Sequence, residues 1–290
     1  QGLTYSDLLR DWTSTNTAPC EILISCIDHP AAGFEYLRTE GYKWHPHIVL
    51  LGITLGNDIT CDYEDHLAQR TPEEKKEIYY RLSQINLPDQ CIKDPPETPG
   101  FSDRAKCFLY QHSQLIQHFF PTNAGIVSWY RDAAIPRMFD WCNGLGIFAI
   151  HCPEEIRSAY RQHFKILKGF KGFCESNDMS FAIMLFPQRY QVQPKDWQAT
   201  VKRYSLNEKC FDLELPNKLL RDFCSSENIL MIDITPCLQR EHKKNGTSLY
   251  FPKGDMHWNQ QGQYHAYLCV KEFLRPILTK KAQNVKTLEP

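Results

Sequence analysis

Four short apolar runs constrain this chain more than anything else in it: "EILISCI" from Glu21, "HIVLLGI" from His47, "FAIMLF" from Phe181 and "ILMIDI" from Ile229. Each is continuous rather than alternating and rich in Ile, Leu and Val, the pattern of a strand covered on both faces. The segments between them carry helical spacing. From Pro153 to Ser176, Pro153, Glu154 and Glu155 form a favourable first turn, and Ile156, Tyr160, Phe164, Leu167 and Phe170 recur on one face. From Pro216 to Ser226, Leu219, Leu220 and Phe223 point inward. A third helix follows Asn259, a good N-cap, with Tyr264, Tyr267, Val270 and Leu274 on one face. Strands alternating with helices predict an α/β protein with a parallel sheet covered by helices on both sides.

The interval 62–177 breaks this rhythm. It opens on the charged stretch "TPEEKKEIYYRLSQI", passes through the Pro-rich "DPPETPGFSD" and continues with the helix candidate "FLYQHSQLIQHFF". A long, mostly helical insertion over one rim of the sheet is the expectation. The organisation expected is one domain over 1–275 with the insertion 62–177 over the active-site rim, and a basic tail over 276–290.

Charge narrows the function classes. With 33 Lys and Arg against 34 Asp and Glu, nothing favours nucleic acid or an anionic membrane. No run reaches the ~18 apolar residues of a membrane span, so a soluble chain is expected. The 12 cysteines are scattered, with no CxxC and no zinc-type spacing, so a zinc module is not expected; a metal on Asp58, Asp255 and His257 is the less favoured alternative to the expectation of no metal and no cofactor. Scattered cysteines behave as small buried hydrophobes, which favours a reducing, cytoplasmic setting over export. The sequon Asn245-Gly246-Thr247 has meaning only in an exported, glycosylated protein.

Two motifs can carry chemistry. The strand from His47 runs into "TLGNDITCD", which puts Gly56, Asn57 and Asp58 at the C-terminal end of a parallel strand, the edge where open α/β sheets bind ligands. Those residue types also dominate plain turns, but an Asn57 amide there can donate to a developing oxyanion. The second motif is "GDMHWN". In an extended segment Asp255 and His257 project to the same side, so the carboxylate can hold the imidazole tautomer and leave Nε2 as general base. Taken alone, this stretch reads equally as a loop with a helix cap. Elsewhere His45 and His47 read as surface residues and Asp233 as a cap on the turn at Thr235. Arg189, after "FPQ" at a strand's C-terminal edge, reads first as a structural residue, with reach to a bound anion as the less favoured alternative.

Together, a GND after an early buried strand and a DxHWN some 200 residues later, before the last helix, resemble the SGNH (GDSL-type) hydrolase superfamily. "EYLRTEGYKWHPHIVLLGITLGNDI" resembles the helix, strand and GND segment of its bacterial members. "IMLFPQRYQVQPKDW" resembles the fourth-strand segment, and "NILMIDITPCL" with "LYFPKGDMHWNQQGQ" the closing strand and catalytic loop. The DxH spacing is similar to the branch that includes polysaccharide acetyltransferases. The resemblance implies a three-layer α/β/α sandwich of flavodoxin-like type and a serine hydrolase or O-acyltransferase acting on a small-molecule or carbohydrate ester. It implies His257 as base, Asp255 as its orienting acid, and Asn57 and Gly33 as oxyanion donors.

The family's nucleophile sits in a GDS motif at the end of the first strand, and this chain has none. "QGLTYSDLLRDW" resembles the residues a few positions after that motif, so the resemblance implies a serine just upstream of Gln1. Ser6 fits poorly, since it falls in a helical pattern led by Tyr5, Leu8, Leu9 and Trp12. In the family's fold the first strand lies inside the sheet, and its absence would orphan buried backbone groups at roughly 1 to 3 kcal/mol each. Further N-terminal residues in the natural protein are therefore the expectation. The competing expectation is a non-catalytic glycan-binding or structural module on the same fold that lacks the nucleophile.

Overall fold

The computed structural model describes residues 4–16, 22–23, 29–68, 89–91, 93, 145–252 and 255–286. Three of the four apolar runs form one parallel sheet, β1 (Ile48–Thr54), β2 (Ser180–Phe186) and β3 (Leu230–Asp233), side by side in that order. Ile48 pairs with Ser180 and Thr54 with Phe186, while Ala182 pairs with Leu230 and Leu185 with Asp233. The strand expected from Glu21 lies outside the described residues except for Ile22 and Leu23, which carry no regular structure.

The helices are α1 (Tyr5–Asn16), α2 (Pro30–Thr39), α3 (Asp58–Ala68) and α4 (Glu154–Glu175). The short α5 (Arg189–Val192), α6 (Pro194–Arg203), α7 (Leu215–Glu227), α8 (Thr235–Asn245) and α9 (Gln260–Lys286) complete them. Side chains alternate across the pleat and sort these helices onto the two faces. Ile183 and Leu185 of β2 join Ile53, Ile59, Leu167 and Leu220 in one apolar cluster, beneath α3, α4 and α7. Met184 joins Leu9, Trp12, Ile232 and Val270 in a second cluster on the opposite face, beneath α1 and α9, with Leu50 and Phe186 packed on it. A third joins α2 to α4 through Leu37 and Phe170. The sheet thus carries helices on both faces, as its continuous apolar strands require. Leu167, Ile183 and Leu220 are wholly buried, so truncating any of them to Ala costs about 2 to 5 kcal/mol.

The helix ends follow local chemistry. Thr4 Oγ1 accepts from Asp7 N at 3.2 Å while Asp7 Oδ2 accepts from Thr4 N at 3.0 Å, a reciprocal cap on α1. Asn228 ends α7 in a left-handed conformation (φ 55°), and Gly246 does the same for α8 (φ 64°). Asn259 Oδ1 accepts from Gly262 N at 3.0 Å and caps α9 as its sequence suggests.

Two expectations are corrected. In α9 Tyr267 and Val270 are buried and Leu274 packs beside them as expected, sharing that face with Gly262, Ala266 and Cys269, whereas Tyr264 is 46% exposed. The insertion 62–177 lies mostly outside the described residues; its last helix, α4, packs on the sheet and on α3. Four described cysteines are disulfide-bonded, Cys91 to Cys210 and Cys237 to Cys269, so a wholly reduced set is not what folds. Cys174 and Cys224 do behave as small buried hydrophobes, their thiols pushed up to about 11 and about 12 by burial. No helix among the described residues is long and apolar enough to cross a membrane.

Candidate active site

The C-terminal edge of the sheet gathers the residues that can do chemistry. Beyond β1, Leu55 N donates to Phe186 O at 3.1 Å and extends the sheet by one bond. The chain then turns through Gly56 and Asn57 into α3. Asp58 Oδ2 accepts from Thr54 N at 2.7 Å and closes this turn, while the Asn57 carbonyl accepts from Cys61 N at 2.8 Å and Thr60 Oγ1 at 2.9 Å. The Asn57 backbone is therefore committed to starting the helix. Its half-buried side-chain amide makes no hydrogen bond among the described residues and is free to donate.

Beyond β2, the next strand over, stand Pro187, Gln188 and Arg189. Gln188 is 4% exposed, its Oε1 has no partner among the described residues, and it lies hard against Gly56. A Cβ at position 56 would overlap Gln188 Nε2, so only glycine leaves room for this amide.

The "GDMHWN" loop is held over the same edge. Tyr250 bridges to Trp258 in antiparallel fashion, Phe251 N donates to His257 O at 3.0 Å and Asn259 N donates to Leu249 O at 3.0 Å. Buried Tyr250 donates its hydroxyl to Pro187 O at 2.8 Å and ties the loop to the end of β2. Gly262 lets the first turn of α9 approach this loop closely, since a Cβ there would collide with Leu249 O.

In this frame His257 Nδ1 donates to Asp255 Oδ1 at 2.7 Å, and His257 N donates to the same oxygen at 2.9 Å. The pair forms through a carboxylate folding back onto the backbone two residues on, not through an extended segment showing two side chains to one side. The backbone bond from His257, opposed by burial and reinforced by the imidazole, holds the Asp255 carboxyl below its ordinary range. Asp255 is therefore ionised at neutral pH and fixes the His257 tautomer, leaving Nε2 without a hydrogen bond among the described residues. The His257 side chain is 88% exposed and the Asp255 side chain 46%.

Arg189 does not reach toward solvent as an anion-binding residue would. It is 9% exposed and spends its guanidinium on the Asp255 carbonyl, the Phe251 carbonyl and Asp196. Gly33, implied with Asn57 as an oxyanion donor, has its N–H engaged within a helix. It lies in the interior of α2, packed against Phe170 and Leu51, and its N–H donates to His29 O at 3.0 Å, so it has no donor left for an oxyanion. His45 and His47 are exposed, and Asp233 Oδ1 accepts from Thr235 N at 3.0 Å, both as read from sequence.

The first turn of α1 reaches the same edge. Tyr5 N donates to Gln263 Oε1 at 3.0 Å, and the Tyr5 ring meets Phe186 and Trp258 edge-on at 5.6 and 6.1 Å. Ser6 Oγ lies 2.8 Å from Thr4 Oγ1 within the helix cap. Beneath β1, burial pushes the Asp58 carboxyl up to about 7, with neighbouring Asp62 adding to it. Burial pushes Asp62 up as well, but bonds from His163, His29 and the Ala31 N–H outweigh it and hold that carboxyl below its ordinary range.

A cavity of about 430 Å³ lies at the opposite end of the sheet, lined by residues at the strand starts such as Ile48, Ser180 and Leu230. It is remote from the Asp255–His257 pair, and the charged side chains on its lining, Lys171 and Glu175, pair with each other at 3.6 Å. No group of His, Cys, Asp and Glu among the described residues is arranged to hold a metal ion. Comparison with protein-family models, with curated proteins and with solved structures finds no match. Fold and site together define an α/β protein with an exposed carboxylate–imidazole pair at the C-terminal edge of a parallel sheet.

Proposed function

We propose that this protein is a serine-dependent esterase or O-acyltransferase of SGNH type, acting on a small-molecule or carbohydrate ester. The observation that carries the reading is the 2.7 Å bond between Asp255 and His257, which leaves an oriented imidazole with a free Nε2 in solvent at the ligand-binding edge of the sheet. Asn57 supports it, standing one strand away with an uncommitted amide.

In this mechanism a serine hydroxyl attacks the acyl carbonyl and gives its proton to His257 Nε2. Asp255 stabilises the resulting imidazolium, and the Asn57 amide donates to the oxyanion of the tetrahedral intermediate. The intermediate collapses to an acyl-serine, and the departing alcohol takes the proton back from His257. Water hydrolyses the acyl-serine in an esterase, and an acceptor hydroxyl takes the acyl group in a transferase. The family resemblance assigns the nucleophile to a serine upstream of Gln1, and the packing of the Tyr5 ring on Trp258 supports this reading by setting the first turn of α1 beside the residue that follows His257.

A fluorophosphonate probe tests this reading. The natural full-length protein is labelled on a serine, and His257→Ala abolishes labelling while leaving the fold intact. A folded protein that carries the upstream serine and takes no label overturns it.

A further inference from the structure

A guanidinium that is nine-tenths buried needs a reason, because an arginine facing solvent would cost nothing to desolvate. Arg189 Nη1 donates to Asp255 O at 2.9 Å and to Phe251 O at 3.3 Å, and Nη2 pairs with Asp196 Oδ1 at 2.9 Å. Asp196 also accepts from Gln193 Nε2, and Gln193 Oε1 accepts from Leu249 N at 2.7 Å and from Ser248 Oγ at 3.2 Å. The linked side chains Arg189, Asp196 and Gln193 therefore grip the catalytic loop at its entry, at Phe251 and at the dyad itself. All three stand on the short segment that follows β2.

We propose that Arg189 is a positioning residue: by holding the Asp255 and Phe251 carbonyls it fixes the loop that presents the Asp255–His257 pair over the sheet edge. Its catalytic consequence rests on the esterase reading, whereas its structural consequence does not. The geometry explains the choice of side chain. A planar fork with several donors can serve two carbonyls and a carboxylate at once, whereas a lysine ammonium is a point charge that cannot span them. Asp196 neutralises the buried cation, so the clamp leaves no isolated charge inside the protein.

Hydrogen–deuterium exchange and kinetics on the natural full-length protein separate the two consequences. In Arg189→Gln the amides of Phe251 and His257 exchange at least tenfold faster, while those of β2 keep their protection. Displacing a dyad by about 1 Å costs roughly 100-fold in kcat with little change in KM, and Arg189→Lys recovers only part of both effects. Asp196→Asn, which leaves the arginine in place, shifts both readouts in the same direction by less and serves if Arg189→Gln fails to fold. Unchanged exchange at Phe251 and His257 in the folded variants overturns the proposal. So does equal acceleration throughout β2, which would make Arg189 an ordinary stability residue. A wild-type protein inert to the fluorophosphonate, with loop protection still lost in Arg189→Gln, rejects the esterase reading and leaves the clamp standing.

Discussion

His163 Nδ1 donates to Asp62 Oδ2 at 2.6 Å, a bond between two side chains with no solvent exposure that joins α4 to α3 across 101 residues of sequence. The other Asp62 oxygen accepts from Ala31 N at 2.8 Å and so caps the start of α2. One carboxylate thus holds three helices on the same face of the sheet. Removing it leaves a buried imidazole and a helix N–H without partners, so Asp62→Ala loses about 3 to 5 kcal/mol in urea unfolding at pH 7. The sign with pH follows from the lowered pKa of this carboxyl. Its stabilising contribution is complete above the unfolded carboxylate range and is lost as pH falls through the lower folded value.

Asp58 has the opposite sign. Its folded pKa of about 7 lies above the ordinary carboxylate value because burial penalises the charged form. As pH rises from about 4 to about 7 the unfolded chain releases this proton and the folded chain keeps it, so stability falls by something on the order of 4 kcal/mol. Asp58→Asn, which still accepts from Thr54 N, removes that loss. It raises the thermal midpoint at pH 8, leaves it nearly unchanged at pH 4, and flattens the profile between. A parent and variant with parallel pH profiles would refute this.

The contact of Gly56 with Gln188 predicts a coupled pair. Gly56→Ala forces a buried amide aside and costs about 1 to 3 kcal/mol. Gln188→Ala removes both the obstruction and an unpaired buried oxygen, so the double variant is at least about 1 kcal/mol more stable than the two single losses sum to. A double-mutant cycle by denaturant unfolding measures the difference, and simple additivity would rule out the contact.

The Cys237–Cys269 disulfide ties α8 to α9 around the loop that carries Asp255 and His257, with 32 residues of separation. By the loop-closure estimate it contributes about 3.5 kcal/mol. The paired substitution Cys237→Ala and Cys269→Ala lowers the thermal midpoint accordingly, and reductant then shifts the transition by less than it does in the parent, because Cys91–Cys210 remains to be reduced. An intact mass showing all cysteines free in the parent would remove the basis of this expectation.

The dyad itself carries little stability, because both side chains are in contact with solvent. Asp255→Asn leaves the thermal midpoint within the range of an ordinary surface change, under about 0.5 kcal/mol. It slows fluorophosphonate labelling by something on the order of 10⁴-fold through loss of the correct tautomer. Equal labelling rates would mean that Asp255 does not orient His257.

The features legible in the sequence and those hidden from it divide along physical lines. Strands β1, β2 and β3 are legible because burial on both faces demands unbroken apolar runs, and α4 and α7 because their faces carry large side chains. Tyr264 misleads because the first turns of the buried face of α9 are carried by Gly262 and Ala266, which add almost no apolar signal, while Tyr267 and Val270 further along are legible. Asp255 and His257 are legible because a carboxylate and an imidazole two residues apart can meet locally. Arg189 is not, since its acceptors are backbone carbonyls of a distant loop, which no residue identity marks. The pairing of Cys91 with Cys210 is hidden for the same reason, its 119-residue separation being set by tertiary structure alone. Gly33 matches a family motif by residue type only, and its local setting here is the interior of a helix.

The parallel pairing of β1 with β2 also dictates the order of events at the ribosome. Ile48 finds its register opposite Ser180, so an apolar strand with open hydrogen-bonding groups emerges long before its neighbour exists. At ordinary synthesis rates that wait is on the order of 10 s. A nascent chain halted between β1 and α4 therefore displays the β2-facing edge of β1 unpaired, a template open to non-native pairing that follows from the topology rather than from the chemistry of the site.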